Sequence, residues 1–144
     1  MKKYIKLNMN QTDGDGRTIL HLAMNNSLAS IDASFETLRY LLDQKLNYNA
    51  VDDDGRTPLH YAFVKAGEGQ SDDTKRDPIE IVSNMLAIND LELNKQDKYE
   101  KTPLHYACQH GASISALYMI QRGADFKLKD IFGNSPLGIS LLHN

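Results

Sequence analysis

Three histidines, His21, His60 and His105, sit in one slot of a recurring phrase, and they are the first residues of this 144-residue chain whose type and spacing could do chemistry. Imidazole ligates zinc and moves protons near neutral pH. A recurring phrase builds a stack of similar units. The three rings should therefore stand one above another, a unit's height apart, too far to share one zinc ion with bonds near ~2 Å. His110 and His143 have no cysteine or histidine at zinc-site spacing. Asp13 and Asp15, then Asp52, Asp53 and Asp54, offer a second candidate. A calcium loop needs oxygen ligands at fixed spacing closing on a distal glutamate, whereas these are adjacent carboxylates followed by Arg56. They read as solvated turns. The chain has no phosphate-cradling Gly-Lys-Ser/Thr loop, no Gly-x-Ser-x-Gly elbow and no Ser-His-Asp set. We expect no enzyme in this segment by itself, no metal site and no cofactor.

The elements that position these residues follow from the phrase itself. It occurs as Asp15-Gly16-Arg17-Thr18-Ile19-Leu20-His21-Leu22-Ala23, Asp54-Gly55-Arg56-Thr57-Pro58-Leu59-His60-Tyr61-Ala62, Tyr99-Glu100-Lys101-Thr102-Pro103-Leu104-His105-Tyr106-Ala107 and Phe132-Gly133-Asn134-Ser135-Pro136-Leu137-Gly138-Ile139-Ser140. Threonine or serine ahead of an apolar helical run is an N-cap, and proline suits the first helical position, where no amide donor is needed. Leu20, Leu59 and Leu104 fall on the buried face. Gly16, Gly55 and Gly133 suit a turn that needs positive φ. Glu100 stands in that slot in the third copy, so its turn must differ or carry strain. First helices are expected over about 18–25, 57–65, 102–110 and 135–143, and second helices over 34–44, 78–88 and 113–122.

The second helices end in similar segments. Phe35, Leu38, Leu41 and Leu42 form an apolar stripe. The slot after the helix, which favours a left-handed residue, holds Lys45, Asp90 and Gly123, and lysine there would cost on the order of 1 kcal/mol. The first unit is thereby expected to be the softer one. The predicted units are 14–52, 53–97 with an inserted loop at 67–77, 98–130 and a partial 131–144, after 1–13 as the tail of an earlier unit. Both ends look cut, which suggests a fragment of a longer array, with Ile139 and Leu141 exposed for want of a neighbour. Residues 26–32 form a shorter insertion.

Composition is that of a globular protein, with 41% hydrophobic and 24% charged residues. Net charge is −3 and no apolar run reaches the ~18 residues that span a bilayer, so neither nucleic acid nor membrane is expected. Lys95, Lys98, Lys101, Lys127 and Lys129 make the third and fourth turns mildly basic, but Asp97, Glu100, Asp125 and Asp130 interleave with them. The basic N-terminus lacks a signal-peptide core, and the single Cys108 reads as an inert packing residue. A monomer inside the cell, in the cytoplasm or nucleus, is the expectation.

The phrase, with Lys45-Leu46-Asn47-Tyr48-Asn49-Ala50 and Arg122-Gly123-Ala124-Asp125-Phe126, resembles the ankyrin repeat, whose period of about 33 residues opens on Thr-Pro-Leu-His-x-Ala. The steps here are 39, 45 and 33 residues. The resemblance implies an all-α solenoid of helix pairs with β-turn fingers, and histidines that bond the neighbouring turn. It also implies a concave surface for a protein partner, formed by finger tips and first-helix ends. In this chain those positions are Asp15, Arg17, Asn25 and Asn26; Asp53, Asp54, Arg56, Val64 and Lys65; Lys98, Tyr99, Lys101, Gln109 and His110; Ile131, Phe132 and Asn134. Tyr99, Ile131 and Phe132 would be apolar anchors and Arg56 a charged one. The charge trend along the fingers, acidic first and basic later, fits a partner of opposite polarity.

Leu41 and Leu86, each eight residues before Asn49 and Asn94, match a pattern similar to that on which ankyrin asparagines are hydroxylated by an oxygen-dependent asparaginyl hydroxylase. An asparagine bonding its own turn would show the same spacing. Asp77 to Val82, Asn94 to Tyr99, His105 to Ala112 and Gln121 to Ile139, roughly the last seventy residues, look like the non-catalytic ankyrin region of tankyrase-like poly(ADP-ribose) polymerases. That would imply a nuclear or nucleocytoplasmic parent with its transferase domain elsewhere.

Overall fold

Threonine or serine opens the first helix of each unit, the hydroxyls of Thr18, Thr57, Thr102 and Ser135 each accepting the backbone N–H three residues on. The computed structural model describes residues 10–26, 31–63 and 77–142. Among them lie α1 (Ile19–Asn26), α2 (Ile31–Leu42), α3 (Pro58–Tyr61), α4 (Ile79–Leu86), α5 (Pro103–Gln109), α6 (Ser113–Gln121) and α7 (Pro136–Leu142), with no strand. The first helices form one row, α1 on α3, α3 on α5 and α5 on α7; the second helices form another, α2 on α4 and α4 on α6. The rows are held together where α1 meets α2 and α5 meets α6. The fold is the all-α solenoid.

Between the rows runs one continuous core, in which Leu20, Leu59 and Leu104 repeat at one level and Leu38, Val82, Met85 and Met119 at the next. α3 and α5 start with the same reciprocal cap: the threonine hydroxyl accepts the histidine N–H, and the histidine Nδ1 accepts the threonine N–H at 3.0 Å. Histidine takes the place that glutamate or glutamine holds in an ordinary capping box.

Several expectations change. α3 stops at Tyr61, well short of residue 65, because Ala62 and Phe63 donate to Leu59 and His60, an i→i−3 pattern that tightens and ends the helix. Val64, Lys65 and the inserted loop up to residue 76 lie outside the described residues. α2 begins at Ile31, so Ile31 and Asp32 belong to the helix and not to an insertion; Ile31 is in helical phase with Phe35 and Leu38.

Lys45 has no positive φ, while Asp90 (66°), Glu100 (58°) and Gly123 (104°) do. The reason is Tyr48, whose hydroxyl donates to the carbonyls of Leu42 (2.8 Å) and Gln44 and satisfies the end of α2 without a left-handed cap. The expected cost at Lys45, and with it the argument for a softer first unit, disappears. Glu100 keeps the ordinary turn and bears the strain. Ile139 is 3% exposed, not open as expected, since α7 turns it against α5; Leu141 on the other face is exposed.

Candidate protein interface

Each finger is built on an aspartate five residues before the threonine or serine: Asp13, Asp52, Asp97 and Asp130. In all four, Oδ1 accepts the backbone N–H groups two and four residues on, each at 2.9 Å. The backbone closes the same loop, Asp13 N donating to Arg17 O, Asp52 to Arg56, Asp97 to Lys101 and Asp130 to Asn134. The Tyr61 hydroxyl donates to Asp52 Oδ2, and the Tyr106 hydroxyl to Asp97 Oδ2. Asp52 is thus buried, which corrects its reading as part of a solvated turn. Burial, followed by the bond to the carboxylate, drives both phenols well above their ordinary range.

The fingers are tied to one another. Asp53 N donates to Asp15 O (3.0 Å), Lys98 N to Asp54 O (2.8 Å) and Ile131 N to Tyr99 O (3.0 Å). A second line of bonds runs beneath. His21 Nε2 donates to Arg56 O (2.8 Å), His60 Nε2 to Lys101 O and His105 Nε2 to Asn134 O, both at 2.9 Å. Because Nδ1 accepts from the threonine, the proton belongs on Nε2 and the ring is neutral. Burial drives His60 down to about 4 and lowers His21 and His105. The three rings are bolts between units, each completed by a carbonyl 29–41 residues away.

A helix pair, a finger closed by Asp and a histidine bolt to the next finger make one unit, repeated along the chain. Family models agree: "Ankyrin repeats (3 copies)" matches residues 1–76 and "Ankyrin repeats (many copies)" residues 85–139. The chain belongs to the ankyrin-repeat family. Among curated proteins it is similar to poly [ADP-ribose] polymerase tankyrase of Caenorhabditis elegans, 31% identical over 137 residues, 92% of this chain and 6% of that protein. Potassium channel SKOR of Arabidopsis thaliana is 32% identical over 74 residues, 51% of this chain and 8% of the relative. Ankyrin repeat protein FPV230 of Fowlpox virus (strain NVSL) is 32% identical over 56 residues, 39% of this chain and 30% of the relative. The chain therefore spans a small part of each relative's length. Ankyrin repeats are protein-interaction units.

On the ankyrin fingers the anticipated residues differ in their freedom. Phe132 is 75% exposed and Ile131 is exposed beside it; Tyr99 is 37% exposed, with the Lys98 ammonium 5.0 Å from its ring centroid. Asp53 is exposed. Asp54 is engaged, Oδ1 2.9 Å from Lys98 Nζ, and that bond lowers the carboxyl pKa and raises the ammonium's. Arg56 is no free anchor, because its guanidinium lies 5.5 Å from the Tyr106 ring centroid and its Nε 3.5 Å from Asp97 Oδ2. Gln109 and His110 are half-buried at the end of α5, where Gln109 Oε1 accepts from Lys101 Nζ (3.4 Å). Val64 and Lys65 lie outside the described residues.

Asn49 and Asn94 lie three residues before the finger aspartates Asp52 and Asp97. Asn49 donates to Asp90 O and accepts from Glu92 N, both at 2.8 Å, and Asn94 accepts from Asp125 N at 2.7 Å. Each bridges to the next unit's loop and does not bond its own turn. Asp77, read from sequence as the end of a loop, accepts the N–H groups of Ile114 (2.8 Å) and Ser115 (3.1 Å) and the Ser115 hydroxyl. It caps α6, whose own cap position is Ala112. No local signal foretells this, since the partners are 37 and 38 residues apart. The finger aspartates, by contrast, recur at a fixed offset visible in the sequence. Cys108 is half-buried on α5 and burial pushes its thiol up, which disfavours the reactive thiolate. Among the described residues no group of His, Cys, Asp or Glu could hold a metal ion, and no helix is long and apolar enough to cross a membrane.

Proposed function

We propose that this chain is a monomeric protein-binding module whose partner lies across the fingers and the first helices. One observation carries the reading: Tyr99, Ile131 and Phe132 stand exposed on two successive fingers that backbone bonds hold rigid. Apolar side chains presented on a preorganised surface make binding anchors, because little conformational freedom remains to be lost. Affinity capture identifies the partner, and titration of Tyr99→Ala and Phe132→Ala, with circular dichroism as the folding control, tests the surface. Both variants should bind more weakly with unchanged dichroism. Wild-type binding by both would place the working surface elsewhere. Units at 14–52, 53–97, 98–130 and 131–144, and an intracellular location, cytoplasmic or nuclear, belong to the same proposal.

The likeness to a tankyrase through 92% of the chain supports a second reading, that of the non-catalytic ankyrin region of a tankyrase-like poly(ADP-ribose) polymerase. The coding sequence around this segment decides it. A downstream ADP-ribosyl transferase domain would support the reading, and a frame that closes without one would end it.

A further inference from the structure

The two rows of helices end unevenly. Among the described residues the row of first helices has four members, α1, α3, α5 and α7, and the row of second helices three, α2, α4 and α6. α6 packs on both α4 and α5, whereas no described second helix packs on α6 and α7 in turn. The end of the stack is a step, with α6 as its floor and α7 as its wall. Side chains in core register line it. Leu137 holds the slot of Leu104, yet it is 67% exposed where Leu104 is 1% exposed. Ile114, equivalent to the buried Ile81, and Phe126, equivalent to the half-buried Leu93, are exposed in the same way. Leu141, one turn on from Leu137, completes the wall. Neither α6 nor α7 contains a charged residue.

A helix seated in the vacant place must offer what α4 and α6 offer in theirs. Those helices present Val82, Ser83 and Leu86, and Ser115, Ala116 and Met119: a small residue at i+1 and a large apolar one at i+4. α7 carries the same run in Leu137, Gly138 and Leu141, and the glycine lets another backbone approach closely. A second copy of the chain therefore supplies the missing helix. Two such steps interlock about a two-fold axis, and with no charge on either helix no like-charge contact opposes them. The patch made by Ile114, Leu117, Phe126, Leu137 and Leu141 amounts to a few hundred Å², short of the ~800 Å² per partner of a standard stable complex. The pairing is accordingly weak.

We infer that two copies of this chain pair reversibly end to end, the α7 of each seated on the α6 and beside the α7 of the other. The dilute chain is the monomer of the function proposed above, and the concentrated chain is a dimer with one finger face per copy.

Sedimentation velocity of the whole chain tests this, from about 1 to about 500 μM. The sedimentation coefficient should rise from that of a monomer toward that of a dimer. Leu137→Lys and Ile114→Lys, both at exposed positions, should move the transition at least about tenfold up in concentration with unchanged circular dichroism. Antiparallel α7 helices set Leu137 of one copy opposite Leu141 of the other, so an equimolar mixture of Leu137→Lys with Leu141→Glu should pair again. A chain that is monomeric at every concentration overturns the inference; if Leu137→Lys then releases the partner captured on the wild-type chain, the face belongs to that protein instead. Dimers that ignore Leu137→Lys and Ile114→Lys, or a mixture that fails to recover, overturn it too. So does a coding sequence that continues past Asn144 into a helix filling the vacant place in cis. None of these outcomes touches the finger surface, which Tyr99→Ala and Phe132→Ala test separately.

Discussion

His60 accepts at Nδ1 and donates at Nε2, and so it must stay neutral: a proton on Nδ1 would face the Thr57 N–H, and neither could bond the other. Its folded pKa of about 4 lies below the ~6.5 of the unfolded chain. The unfolded state therefore binds the proton first as pH falls. The stability His60 contributes is complete above pH ~6.5 and is lost as pH falls toward 4, at up to about 1.4 kcal/mol per unit. His21 and His105 act with the same sign. Urea midpoints should drop between pH 7 and 4.5, and less steeply in His60→Gln. A parallel slope in the variant would refute this account. Tyr106→Phe removes the hydroxyl donor from Oδ2 of the buried Asp97 carboxylate, whose Oδ1 keeps its two backbone donors, and should cost about 1–3 kcal/mol, read from the same melts. The Asp-to-Tyr spacing of nine residues is printed twice in the sequence, yet it looked like a solvated turn because nothing local shows the finger curling back over its helix.

Helix starts were legible to within a residue or so wherever Thr-Pro announced them, since the cap and the first turn are made from neighbours in sequence. Helix ends were not. The end of α2 depends on Tyr48 reaching back; the start of α6, though placed correctly from sequence, is capped by Asp77 of the preceding unit, which no local signal shows. Asp77→Ala should weaken the α4–α6 junction by about 1 kcal/mol, the usual worth of a cap. Leu104→Ala empties a buried site in the centre of the stack and should cost roughly 2–5 kcal/mol. Denaturant melts of the two variants compare them directly, and equal losses would show that the stack transmits a lost cap as strongly as a cavity.

Across the molecule, burial follows the neighbour and not the residue. Aligned on the left-handed residues Asp90 and Gly123, Ile81 of α4 and Ile114 of α6 are equivalent, yet Ile81 is 4% exposed beneath α6 and Ile114 is 59% exposed. Binding is expected to draw on the finger face, where Phe132→Ala should weaken the partner complex by about 2 kcal/mol, checked by titration. The segments that lead into the second and third fingers carry the proposed hydroxylation of Asn49 and Asn94. Mass spectrometry after co-expression with an asparaginyl hydroxylase should find one added oxygen on Asn94, and an unmodified residue would end the proposal there. Asn94 is the exposed one, while Asn49 is half-buried with both ends of its amide bonded to the next loop.

By itself the sequence determined the repeat, the helix starts that follow Thr-Pro, the buried leucines and the left-handed glycines, because each depends on residues within one turn of chain. Tertiary structure decided the rest. That His21, His60 and His105 bolt unit to unit, that Arg56 and Lys98 are engaged while Asp53 and Glu100 remain open, and that Ile139 is covered are outcomes of contacts between units. A charge is free or paired only when the partner dozens of residues away has been placed, and capping and periodicity carry no record of that distance.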